Sequence, residues 1–286
     1  MTTVNVSVII TTFNAPAWLE KVLWGYRSQT HADFELLVAD DGSGPETALL
    51  IESMRRITKL PIIHVWQPHE GFRKCRILNR AIARARGDYL IFSDGDCVPQ
   101  ANFVATHAAL AARGRALSGG CIRLSAAASL ALTEHDIFSG RCTRPAWLRA
   151  NAALKARDRL KLWAAQGNAG WLADGLTPTR PTFNGHNSSV WRDDALRVNG
   201  FEERMQYGGL DREFGDRLVN AGVWFRQVRH RAICLHLDHP RPYFNAESWA
   251  RNRVFRQYTR RERITWTPCG IVQGNSTPAR AARVAA

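Results

Sequence analysis

Four short apolar runs in the first hundred residues, each parted from the next by a helical stretch, constrain this chain more than any other feature. Val6-Ser7-Val8-Ile9-Ile10, Glu35-Leu36-Leu37-Val38-Ala39, Ile62-Ile63-His64-Val65 and Tyr89-Leu90-Ile91-Phe92 are rich in β-branched and aromatic residues and too short for helices. They read as buried strands. Between the first two, Trp18, Val22 and Tyr26 recur at four-residue spacing from Pro16 to Gln29, the stripe of an amphipathic helix. Pro45 suits the first turn of a second helix, ending near Ile57, and Phe72 to Arg86 reads as a third, stopped by Gly87. This rhythm builds a mostly parallel sheet with helices on both faces, an α/β fold. Such sheets bind ligands beyond the carboxyl ends of their strands. Thr11-Thr12-Phe13-Asn14, Asp40-Asp41-Gly42-Ser43 and Ser93-Asp94-Gly95-Asp96 all fall at those ends, so three polar clusters converge on one sheet edge.

The 286 residues suffice for one large domain with an appendage, and 45% apolar with 22% charged residues is ordinary for a globular protein. No apolar run approaches the ~20 residues that span a bilayer. The amino terminus enters the first strand without the basic segment of a secretory signal, so the expectation is a cytoplasmic protein. The net charge is +14, and half of it lies from Arg241 onward, where nine Arg and two Glu give +7. Such a stretch is either a solvated basic tail or the contact for an anionic partner, whether nucleic acid, an acidic membrane surface or a glycolipid. Residues from about Thr267 to Ala286 read as a flexible Ala/Arg tail. Cys75, Cys97, Cys121, Cys142, Cys234 and Cys269 form no Cys-x-x-Cys pair, which argues for packed thiols. In the Ala-, Arg- and Trp-rich middle, about Ser125 to Thr182, Trp147, Leu148, Leu154, Leu160, Leu162 and Trp163 line amphipathic helices. These either cover the sheet or form a membrane-surface or acceptor-binding excursion.

Two carboxylates two residues apart in extended backbone point to the same side. At a strand end, Asp94 and Asp96 make a hard-oxygen site for Mg²⁺ or Mn²⁺, ions that bind through one or two carboxylates plus substrate phosphates. Gly95 between them lets the backbone approach a phosphate closely. In the Asp40-Asp41-Gly42-Ser43 turn, a carboxylate can accept from a nucleobase N–H or a ribose hydroxyl, while Ser43, just before Pro45, suits a helix N-cap.

The order and spacing of these segments, from Val8 to Gly222, resemble an inverting glycosyltransferase of family 2 with the GT-A (Rossmann-like) fold. The segments are Val8 to Asn14, Asp40 to Ser43, Gly71 to Asn79 with Ala81-Ile82, Gly87 to Asp96, and Asn184 to Gly222. The resemblance implies one such domain over residues 1–240, with a nucleotide-binding half at 1–100, a helical excursion at about 125–182 and an acceptor and catalytic half at 183–240. A basic helix and tail at 241–286 follow. It further implies that Thr11 and Phe13 sit around the nucleotide base and Asp41 binds uracil or ribose. Arg73, Lys74 and Asn79 lie near the diphosphate and ribose. Asp96 is the direct metal ligand, and Asp94 contacts ribose or, through water, the metal.

Tyr207-Gly208-Gly209-Leu210-Asp211-Arg212-Glu213 resembles the family's Gly-Gly-Glu-Asp segment, with Asp211 in the place of the catalytic base. The bland reading of Asp211 is a helix-start carboxylate favoured by the macrodipole. The chain departs at Leu210, where the family often has an acceptor-binding Glu, so Glu213 or His186 is expected to take that contact. Asn187 resembles the residue flanking donor sugar and acceptor. His236, or failing it His239, closes the metal site.

The implied chemistry is metal-dependent transfer of one hexose from a UDP-sugar to a glycan or lipid-linked glycan, possession of a basic end fitting peripheral contact with the anionic inner face of a membrane. A sugar-phosphate nucleotidyltransferase should carry a Gly-rich phosphate loop after the first strand, and Thr11-Thr12-Phe13-Asn14-Ala15 has none. A basic nucleic-acid-binding protein fits the charge, but the clustered carboxylates repel a polyanion at the site, so no nucleic-acid partner is expected.

Overall fold

The structure, a computed structural model, describes residues 4–151, 169–240 and 243–273. β1 (Val6–Thr12), β2 (Phe34–Asp40), β3 (Ile62–Trp66) and β4 (Tyr89–Asp94) pair in parallel, as the strand–helix rhythm requires. Their order is β3-β2-β1-β4. The registers are what assemble the site, because Thr12 lies opposite Asp40 and Thr11 opposite Asp94.

Alternation along each strand splits the core in two. Val6, Val8, Ile10, Leu36 and Val38 face α1 (Pro16–Arg27) and α2 (Pro45–Thr58), packing with Leu19, Val22, Leu23, Ile51 and Met54. Ile9, Leu37 and Ala39 face α3 (Lys74–Arg84) and pack with Cys75, Ile77, Leu78 and Ile82. The Ser43 hydroxyl does not cap α2. Gly44 stands at the N-cap without a side-chain bond, while Ser43 Oγ accepts the Asn14 N–H at 2.8 Å and so ties the β1 loop to the β2 loop.

The second half continues the sheet with β8 (Ser188–Trp191) antiparallel to β4, β6 (Arg115–Ser118) antiparallel to β8, and β9 (Trp224–Gln227) parallel to β6. A three-stranded sheet, in the order β5 (Cys97–Pro99), β10 (Ile233–His236), β7 (Gly120–Arg123), sets His236 opposite Cys97.

The middle is helical where described: α4 (Phe103–Ala109), α5 (Ala126–Ala131), α6 (Glu134–Phe138), α7 (Pro145–Asn151) and α8 (Gly170–Gly175). Leu148 is fully buried in the core on the α1 side and Trp147 packs against it, which supports a cover on the main fold. Leu154, Leu160, Leu162 and Trp163 lie outside the described residues. α9 (Arg192–Arg197), α10 (Leu210–Asn220) and α11 (Ala246–Arg261) complete the set, with α11 against α10.

The segment from Thr267 to Val272 is not the loose tail its composition suggests. Asn199 Nδ2 donates to the carbonyls of Thr267 and Val272, and Thr267 Oγ1 donates to the buried Glu202 at 2.6 Å. Residues 274–286 lie outside the described residues. Among the described residues no helix is long and apolar enough to cross a membrane.

Candidate active site

The carboxyl ends of β1, β2 and β4 bring two clusters together. In the first, Asp41 is buried just beyond β2 and held at both oxygens. Gln67 Nε2 donates to Oδ1 at 2.6 Å and the Arg73 backbone N–H to Oδ2 at 2.8 Å. Burial raises its carboxyl above the ordinary range, and these two donors pull the other way. Beside it, Phe13 is 41% exposed and its ring stacks on His69, centroids 4.4 Å apart. An exposed aromatic face next to a fixed carboxylate suits a planar heterocycle. Arg73 is ion-paired with Glu70. Asp40 belongs to the framework, since its Oδ1 accepts the Ser43 N–H and its Oδ2 meets His64 at 2.9 Å.

The second cluster is built on the Asp94-Gly95-Asp96 triplet. Asp94 Oδ1 accepts from Thr11 Oγ1 and from Lys74 Nζ, each at 2.6 Å. Burial alone would raise the Asp94 carboxyl, but the Lys74 ammonium outweighs it and holds the group well below the usual carboxylate range. Lys74 is shifted reciprocally: burial disfavours its charge, and Asp94 and Asp211 more than restore it. Gly95 serves the framework. Its N–H donates to the Thr11 carbonyl at 2.7 Å, and a Cβ there would lie 2.9 Å from that oxygen, so its close approach is to β1.

Asp96 Oδ2 lies 2.7 Å from His239 Nε2 and 3.8 Å from His236 Nε2, and the two imidazoles stack 5.6 Å apart. Burial works against the Asp96 charge, yet the His239 hydrogen bond leaves its carboxyl below the ordinary value. One donor atom from each of the three residues lies within 4.8 Å of the others, a donor set that fits a divalent cation. His239 therefore joins His236 at this centre, and of the two it is the closer to Asp96.

Asp211 sits in the first turn of α10, after Gly208 and Gly209, both with positive φ. Its Oδ1 is buried and has no hydrogen-bond partner among the described residues. Burial raises its carboxyl, with Lys74 pulling it down and Asp94 pushing it up. A side chain on Gly185 would place Cβ 2.8 Å from Asp211 Oδ1, so glycine there is what lets the two loops close on each other. His186, the next residue, is held below its ordinary range, at about 4, by burial, with Asp94 pulling upward.

Three residues expected at the site belong to the framework instead. Asn79 is buried, its amide donating to Phe201 O and Glu203 Oε1 while its Oδ1 accepts the Phe201 N–H, so it ties α3 to the loop after α9. Asn187 is fully buried and spans Gly120 O, Ala232 O and His107. Glu213 is 3% exposed and clamped by the fully buried Arg217 and by Thr259. Leu210, standing where a carboxylate was expected, packs in the core on the α3 side. Conversely, Gln67 and His69 carry no motif in the sequence, and Gly185, though within the Asn184 to Gly222 segment, carries no role there. Only their spatial contacts with Asp41, Phe13 and Asp211 mark them.

The mostly parallel sheet flanked by helices is the fold of GT-A glycosyltransferases. The chain belongs to glycosyl transferase family 2, whose description matches residues 7–168. It is 26% identical over 240 residues to a hyaluronan synthase of Pasteurella multocida, covering 79% of this chain and 24% of the relative. The chain thus spans about a quarter of that relative's length. Among solved structures it resembles the mannosyltransferase PcManGT from Pyrobaculum calidifontis in complex with GDP-Man and Mn²⁺, with TM-score 0.57, 19% identity, and coverage of 90% of this chain and 61% of the other. It also resembles S. aureus TarS 1–349 in complex with UDP-GlcNAc, with TM-score 0.56, 14% identity, and coverage of 84% and 60%.

Proposed function

We propose that the chain transfers one hexose from a UDP-sugar to a hydroxyl of a glycan or lipid-linked glycan by direct displacement, with inversion at the anomeric carbon. The observation that carries this reading is Asp211: a buried carboxylate whose Oδ1 accepts no hydrogen bond among the described residues, raised in proton affinity by burial and by Asp94 against the pull of Lys74 and the Gly185 backbone N–H. A base tuned upward in this way accepts a proton more readily near neutral pH. The acceptor hydroxyl gives its proton to Asp211 while its oxygen bonds to the anomeric carbon. The bond from that carbon to the diphosphate breaks, and its electron pair leaves with the nucleoside diphosphate.

Asp96, His236 and His239 would hold a divalent cation, which supplies positive charge to the donor's diphosphate. Two imidazoles beside one carboxylate favour Mn²⁺ over Mg²⁺, which demands oxygen donors in near-ideal octahedral geometry. Asp41 and Phe13 receive the base, and Lys74 keeps Asp94 ionised for the ribose. The nucleotide-sugar complexes of the two structural neighbours support a donor of this class, and the hyaluronan synthase relative supports a glycan acceptor.

A donor panel tests the reading. Nucleotide release from UDP-, GDP- and dTDP-hexoses is measured with Mn²⁺, with Mg²⁺ and with EDTA, in the presence of glycan acceptors. Release from UDP-hexose that EDTA stops and Mn²⁺ restores is the expected result. Release from GDP- or dTDP-sugars alone, or indifference to EDTA, would refute the donor or the metal assignment.

A further inference from the structure

Beside the turn that leads into Asp211 lies a hollow of about 440 Å³, lined by Phe244, Ala246, Trp249, Ala250 and Arg253. Four of the five recur on α11 at the spacing of one helix face, 246, 249, 250 and 253. The two alanines leave the space, and the aromatic rings wall it. The wall is continuous with the catalytic loop, because a Cβ on Gly208 would come 2.4 Å from Cδ1 of the Trp249 ring. The loop is also fixed to the helix: Asn252 Nδ2 donates to the carbonyls of Gln206, Tyr207 and Gly208, and Ser248 Oγ to Gln206. On the other side, contacts among Phe72, Tyr207, Tyr243 and Phe244 lead toward the donor-side Arg73 and Lys74.

Phe244 and Trp249 are 61% and 47% exposed, a pair of uncovered aromatic faces at a concave site. Arg253 is exposed and pairs with no described residue, whereas Arg256, three residues on, is bonded to Asp216 at 2.6 Å. Aromatic faces receive the C–H faces of sugar rings and leave the hydroxyls at their edges wet. A single guanidinium fork matches one carboxylate in two parallel bonds.

We propose that this hollow is an acceptor subsite for a uronic-acid-containing glycan, with Trp249 and Phe244 stacking on the sugar and Arg253 binding its carboxylate. The proposal rests on transfer occurring at Asp211, and its test is independent of turnover. Binding of a hyaluronan tetrasaccharide and of neutral cellotetraose is measured by calorimetry, without donor, for the wild type and for Trp249→Ala, Arg253→Gln, Arg251→Gln and Asp211→Asn. Melting temperatures are read alongside.

The charged tetrasaccharide should bind more tightly than the neutral one. Arg253→Gln should weaken it about tenfold, to the neutral level, and Trp249→Ala should weaken both. Arg251→Gln, outside the hollow on the same helix, should bind as the wild type does. Asp211→Asn should keep its tetrasaccharide affinity, so an active Asp211→Asn enzyme would defeat the catalytic reading without touching this one. Equal affinity for the two glycans, no binding at millimolar concentration, or wild-type affinity in Arg253→Gln at an unchanged melting temperature overturns the proposal. So does sedimentation with phosphatidylserine vesicles that depends on Trp249 and Arg253 in the absence of glycan binding, which would assign the face to a membrane.

Discussion

His107 offers a quantitative test of how the loop carrying Gly185 and His186 is held. The imidazole is fully buried on α4. Asn187 Nδ2 donates to two carbonyls, so Asn187 Oδ1 faces His107 Nε2 at 3.0 Å and must accept its proton. Nδ1 is then bare and accepts from Ser189 Oγ at 2.7 Å. Burial pushes this imidazole from its ordinary 6.5 down to about 4, the Asn187 bond opposing weakly. The unfolded chain therefore takes up a proton near pH 6.5 and the folded chain only near pH 4. Between those values the unfolded state binds more protons, and stability falls as pH falls. From pH 7.5 to 4.5 this one residue removes about 2.5 kcal/mol, rising to about 3.4 kcal/mol once both states are protonated. His186 is depressed to the same range and contributes alongside, so a variant is needed to separate the two. His107→Gln keeps an amide N–H in the place of Nε2 and cannot titrate. Urea unfolding of both proteins across that pH range should show the variant less stable at pH 7.5 by about 1–3 kcal/mol. The gap should then close by about 2.5 kcal/mol at pH 4.5. Parallel stability curves would refute the reasoning.

Gly185→Ala brings Cβ to 2.8 Å from the Asp211 carboxylate, so it should cut transfer about 100-fold and, by parting the two loops, lower the melting temperature, as steady-state kinetics and calorimetry would report. Arg217→Met strips the cation from Glu213 and frees the carbonyls of Val198 and Gly200, and should cost about 3–5 kcal/mol in urea unfolding. Lys74 holds the Asp211 carboxyl down, so Lys74→Met should move the acidic limb of the kcat/KM profile to higher pH while weakening donor binding. An unmoved limb would separate Lys74 from the base.

The first four strands were legible because each is a buried β-branched or aromatic run between helices, so β-propensity and burial agree. β8 was not, since Ser188 and Ser189 are buried to serve hydrogen bonds from Asn184 and to His107 rather than to fill a core. The site carboxylates could be read because strand ends in a parallel sheet have one physical destination. What sequence order does not reveal is where a polar side chain points once it is near that edge. Asn79, Asn187 and Glu213 sit within the right segments but turn inward to satisfy buried backbone and Arg217. The packing of Thr267 to Val272 on Asn199 was hidden for a related reason, because it is made by backbone carbonyls that composition does not record.

The central claim, that Asp211 takes the acceptor proton, is tested most directly by Asp211→Asn assayed for sugar transfer and for donor binding side by side. Loss of transfer by about 10²–10⁴-fold with donor affinity within about twofold of wild type is the expected result. Transfer near the wild-type rate in a folded Asp211→Asn protein would contradict it.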